Sequence, residues 1–165
     1  MSDRTNLYMS VVSTNPEILA RARTRLEEYS GGAEHYEDEQ TDTELTIGAN
    51  ECRVGSALEL AQWLEGDIAE FEEDFAYYVY EDPAYEWLGT ICIHVPGLTP
   101  DYEGNCDADG GPVLSPHQIT ELLNIDADAE LRVQLRLKSG RPWTEAFAHH
   151  AGAVKPVSPA NEEER

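Results

Sequence analysis

The sequence predicts a single α+β domain over residues 3–150, a mixed or antiparallel sheet with two main amphipathic helices packed on one face. Two observations carry that prediction. Apolar residues recur at helical spacing in two long stretches, and at alternate positions in several shorter ones. The resulting order is β-α-β-α-β-β-α-β, without internal repeats. A chain of 165 residues is long enough for one hydrophobic core.

The first strand is predicted over Asn6 to Ser13, with Leu7, Met9 and Val11 on one face. Asn15 then caps a helix that has Pro16 at its first position, where the missing donor does no harm. Its buried stripe is Leu19, Ala22, Leu26 and Tyr29, and Ser30 with Gly31 stops it. Arg21, Arg23 and Arg25 lie mid-helix, where Glu17, Glu27 and Glu28 can partly neutralise them. Residues 34–44 read as a strand end and turn, and Glu44 to Gly48 as a short strand with Leu45 and Ile47 inward.

The second helix spans 56–75. Ser56 and Glu59 have capping-box spacing, and Ala57, Leu60, Ala61, Leu64, Ile68, Phe71 and Phe75 form one apolar stripe. A hairpin follows, with a tyrosine-rich strand near 76–81, a turn at Glu81, Asp82 and Pro83, and a return strand near 85–95. Residues 96–116 hold four prolines and four glycines and read as a long loop of functional type. A short helix runs from Ser115 to Leu123 with Ile119, Leu122 and Leu123 inward. Strict alternation over Leu131 to Lys138 reads as a strand, Leu131, Val133, Leu135 and Leu137 in and Arg132, Gln134, Arg136 and Lys138 out. A last turn or short helix falls at 141–150, and 151–165 has the composition of a disordered tail.

Charge is the outlying property. The formal net charge is −22, and residues 54–131 hold 18 acids and no Lys or Arg. Such a chain repels nucleic acid, anionic membranes and acidic substrates, and favours basic protein surfaces. No stretch is apolar for long enough to span a bilayer, and the N-terminus lacks a signal-peptide core. With three cysteines, an odd count, a cytoplasmic protein with reduced thiols is expected.

Seven acids lie between 59 and 74, on about 22 Å of helix axis. Their spacing, about one per 3 Å, is close to the roughly 3.4 Å phosphate repeat of one DNA strand. The expected function is therefore non-enzymatic: an acidic interaction protein binding a basic protein surface. In its sharpest form it is a DNA mimic inhibiting a nucleic-acid-binding enzyme, of the anti-restriction or anti-CRISPR type. The partner-binding residues are Glu59, Trp63, Glu65, Asp67, Glu70, Glu72, Glu73 and Asp74 on the helix. Tyr80, Glu81, Asp82 and Glu86 join them from the hairpin. Trp63, set among carboxylates, reads either as an interface anchor or as a widened core face. The alternative is a small accessory or immunity-type protein whose acidity serves solubility, as at high salt, and whose function lies in the 96–116 loop.

Other chemistries find little support. Asn105, Asp107 and Asp109 before Gly110 resemble the opening of an EF-hand calcium loop, but the twelfth position is Pro116 rather than glutamate. His94, His117, His149, His150 and the cysteines show no zinc-ligand spacing, and no nucleophile elbow or phosphate loop is present. No cofactor is expected. The basic side of the last strand, Arg132, Arg136 and Lys138, is expected to pair internally, for instance with Glu44, ahead of receiving an acidic surface from a second copy in a homodimer.

Overall fold

A computed structural model describes residues 4–31, 33–53, 55–84 and 87–154. The order is β1 (Arg4–Val12), α1 (Pro16–Ser30), β2 (His35–Gln40), β3 (Glu44–Arg53), α2 (Ser56–Phe71), β4 (Ala76–Glu81), β5 (Gly89–His94), β6 (Tyr102–Cys106), β7 (Pro112–Val113), α3 (Pro116–Leu123), α4 (Asp128–Lys138) and α5 (Arg141–Val154). The strands form one seven-stranded sheet in the order β2-β3-β1-β4-β5-β6-β7, every pairing antiparallel.

The predicted α+β domain is the fold. Local signals set its first half. Asn15 accepts from the Glu17 amide, Pro16 opens α1, and Gly31 ends it in the left-handed region. Leu7, Met9 and Val11 meet Leu19, Ala22 and Leu26 of α1 and Leu60, Ala61 and Leu64 of α2 in the main core. Val79 and Cys92 extend that core under α2.

The other face of the sheet is not bare, as two helices on one face would leave it. Phe147, Ala146 and Trp143 of α5 pack on Ile91, Ile93, Tyr102 and Cys106, beside Tyr78 and Tyr80. The Trp143 indole donates to the Pro100 carbonyl at 3.0 Å, tying α5 to the β5–β6 connection. Further along this face the Tyr36 ring lies so close over Gly48 that a Cβ there would overlap it. The Tyr8 ring packs tilted against Tyr80, at 4.9 Å between centroids and 33° between planes. Tyrosine covers this face where helices do not.

Six expectations are corrected. The last helix, α5, runs on to Val154, into the stretch expected to be a disordered tail from residue 151. Residues 34–44 supply a full edge strand, β2. The 96–116 stretch is not a loop, because β6 and β7 extend the sheet within it. Its calcium-like turn closes that hairpin, the Asp107 Oδ1 accepting from the amides of Asp109 and Gly111 at 3.0 and 2.8 Å. Ile119 and Leu123 are exposed and only Leu122 of α3 is buried. Leu131 to Lys138 is helix, not strand. Its Leu, Arg, Gln and Lys are strong helix formers, and Asp128 and Glu130 at its start and Arg136 and Lys138 at its end complement the helix dipole. Alternate positions also recur at four-residue steps, so the alternation never excluded a helix. Arg136 pairs with Glu145 and Lys138 with Glu121, at 2.7 and 2.9 Å, and neither pairs with Glu44.

Candidate acidic interface

α2 begins without the predicted capping box. Gly55 is the cap residue, left-handed at φ 92°, and no side chain of the helix itself caps it. The Ser56 hydroxyl donates instead to the Arg53 carbonyl. The orphan amides go to a carboxylate from across the fold. Glu81, at the end of β4, accepts from Gly55 at 2.9 and 3.1 Å and from Ala57 at 3.1 Å. Glu81 is 3 % exposed, so it is a structural group and not part of a surface.

The row of acids along α2 is then divided by arginines that the intervening sequence does not show. Asp67 is 2 % exposed and gripped by Arg25 of α1, with hydrogen bonds of 3.0 and 2.7 Å. Glu59 takes two bonds from Arg53 and one from the Tyr29 hydroxyl. Glu70 faces Arg21 at 3.5 Å. Trp63 settles on α1 and is 40 % exposed, with the Arg25 guanidinium 5.6 Å over its ring and the Tyr29 ring edge-on at 5.5 Å. Asp67 and Glu81 are therefore not presented to a partner, and the acidic face is not uncompensated as its sequence implies.

What remains is at the far end of α2. The helix stops at Phe71, with Glu72 left-handed at φ 52°, and no base lies in its last turn. Glu70, Glu72, Glu73 and Asp74 therefore sit against the negative end of the helix dipole, which disfavours each of them. Glu73 accepts from the Asn15 amide group at 2.7 Å, and Asp74 lies 3.5 Å from His94. His94 bonds Asp101 through Nδ1 at 2.7 Å, while its buried Nε2 has no hydrogen-bond partner. The Tyr77 hydroxyl, beneath the stacked His94 ring, shares its proton between Glu65 and Asp101 at 3.3 and 3.4 Å. Glu65, Asp101 and Glu103 rim an open cavity of about 350 Å³ whose walls include Leu58, Ala61, Tyr77 and Cys92. Asp101 and Glu103 come from the stretch read as a loop. Only the topology that sets β6 beside β5 brings them to α2.

The hairpin half of the predicted site lies elsewhere. β4 runs from Ala76 to Glu81, a span of about 17 Å, so Glu81 and Asp82 lie at the opposite end of the strand from Asp74. Tyr80 packs among Tyr8 and Tyr78, and Asp82 accepts from the Asn6 side chain at 3.0 Å. Glu86 lies outside the described residues. Trp87, 65 % exposed at this end, is not among the predicted anchors, although a tryptophan four residues after the turn proline Pro83 is an available signal.

The thiol in the cavity wall is held protonated. Burial pushes the Cys92 and Cys106 thiols up to about 12. Burial likewise raises Tyr36 to about 12, and Tyr77, Tyr78 and Tyr80 well above the ordinary phenol value. Among the described residues, no group of His, Cys, Asp or Glu is arranged to hold a metal ion, and no helix is long and apolar enough to cross a membrane. The raised values have a consequence for stability. The unfolded chain releases these protons from about pH 9 upward while the native chain keeps them, so native stability is full below that pH and falls as pH rises towards 12. Urea unfolding at pH 10.5 is expected to give a stability lower than that at pH 8 by at least about 4 kcal/mol, the share of the two thiols alone; equal values at both pH would refute this.

No known protein family, curated protein or solved structure matches the chain.

Proposed function

We propose that the chain is a non-enzymatic interaction protein that binds a basic protein surface through the acids gathered along the side of α2 that faces Asp101 and Glu103 and at its C-terminal end. The observation that carries this reading is the set Glu65, Asp74, Asp101 and Glu103, joined through Tyr77 and through His94, its one cation-capable partner among the described residues, with Glu72 at the adjoining helix end. Arginines neutralise acids elsewhere on α2, whereas here the acids oppose the helix dipole and raise one another's energy. A surface kept at such a cost suits a partner that supplies positive charge. Lysine or arginine side chains would exchange hydration for carboxylates at the cavity rim, and Tyr77 and the Leu58–Ala61 wall would contact their methylene stems.

In its sharper form the partner is a nucleic-acid-binding enzyme, and the carboxylates take the place of phosphates in its groove, as in anti-restriction or anti-CRISPR inhibition. Steering would make association fast and salt-sensitive. The test is retention of lysate proteins on the immobilised chain at low salt and at about 0.5 M salt. The expected result is a nucleic-acid-binding protein held only at low salt, displaced by its own nucleic acid, and bound about tenfold more weakly by an E65Q/E72Q/D74N variant. A partner indifferent to salt and to these substitutions would overturn the reading.

A further inference from the structure

The opposite charge collects on the C-terminal helices. Arg132, Leu135, Arg136 and Ser139 recur at steps of three and four, so they share one flank of α4 and its end. With Arg141 they line a cavity of about 490 Å³ at the α4–α5 corner, within the size range of small-molecule sites. The corner already binds a carboxylate. Glu145 of α5 accepts from Arg136 at 2.7 Å on one oxygen and from Arg141 at 2.6 Å on the other. The Arg141 hydrogen bond holds the Glu145 carboxyl below the usual range, so it stays charged.

Two guanidinium groups thus hold the Glu145 carboxylate, and a third, that of Arg132, lines the cavity with them. Arg132 has no ion-pair partner among the described residues, and Lys138 is occupied by Glu121. The lining retains an excess of two positive charges in a chain whose net charge is −22. Ser139 donates its hydroxyl proton to the Arg136 carbonyl at 3.0 Å, so the donors of the cavity are the guanidinium groups. Leu135, 45 % exposed, gives the wall an apolar strip.

We propose that this corner is a binding site for a small phosphate-bearing molecule. A dianion matches the residual charge, and planar guanidinium forks suit phosphate oxygens. The dimensions and the surrounding negative field limit the ligand to one that fits the corner, since a polyanion extending beyond it would meet the acidic remainder of the surface. This site is independent of the acidic interface.

The test is titration of the ¹⁵N-labelled full chain with pyrophosphate at constant ionic strength, with sodium chloride as the control. Saturable shifts are expected at the amides of Ser139, Gly140 and Arg141. An R132E variant should lose at least tenfold in affinity, and E145Q, which removes the resident carboxylate, should gain several-fold. Because Arg132 pairs with nothing described, R132E is expected to leave the fold intact, and an unchanged spectrum outside the corner checks this. Shifts that do not saturate, that chloride reproduces, or that R132E leaves unaltered would overturn the proposal.

Discussion

Replacing Glu81 by alanine is expected to destabilise the protein by about 4 kcal/mol, the largest loss from any single acid in the chain. The carboxylate is buried and accepts three hydrogen bonds from the first amides of α2. No Lys or Arg among the described side chains pairs with it, so its charge is held by those amides and by the positive end of the helix. Alanine leaves the buried Ala57 amide and the partly buried Gly55 amide without their acceptor. Glutamine keeps the shape and one acceptor and should cost about 1–2 kcal/mol. Urea denaturation of both variants checks this. A Glu81→Ala midpoint close to that of the native chain would mean the helix start is satisfied in another way.

The second large effect is expected at Asp67, where alanine should cost about 3 kcal/mol. It strips Arg25 of both short hydrogen bonds and leaves the guanidinium between α1 and α2, above the Trp63 ring. The Arg25 side chain is 25 % exposed and has Glu28 at 3.6 Å, which keeps the loss below that of a fully enclosed pair. The double variant Arg25→Met with Asp67→Leu should recover most of the stability, because two apolar groups of similar size leave no stranded charge. Denaturation of the native chain, Arg25→Met, Asp67→Leu and the double variant completes the cycle, and a coupling under about 1 kcal/mol would show that the pair does not brace the helices.

The contrast between Asp67 and Asp74 shows what was legible in the sequence. Both read as solvent-facing acids of one helix, since hydrophobic period alone places them. Arg25, which decides the matter for Asp67, is 42 residues away, and no local pattern reports such a partner. Caps made by neighbours, as at Asn15 and at Ser115, were readable because donor and acceptor lie within three residues. The cap made by Glu81 was not. Leu131 to Lys138 failed for a different reason. Alternation signals a strand only if a neighbouring strand exists to pair with it, and the sequence does not say that β7 closes that side of the sheet with a two-residue strand. The acidity at the end of α2 was legible, whereas its meeting with Asp101 and Glu103 required the β5–β6 register.

The central position of β1 has a consequence for the order in which the chain assembles on the ribosome. β1 emerges first, yet it lies between β3 and β4. A nascent chain that has released only the first 53 residues can join β1 to β3, but the other side of β1 waits for residues 76–81. Until then, Leu7 to Val12 present an unpaired strand edge, the kind of surface on which chains join one another. The same arrival delivers Glu81 to the start of α2, so edge closure and completion of the helix become one event. The segment emerging in that interval is the first part of the stretch without a Lys or Arg, and its charge keeps neighbouring nascent chains apart while the edge is open.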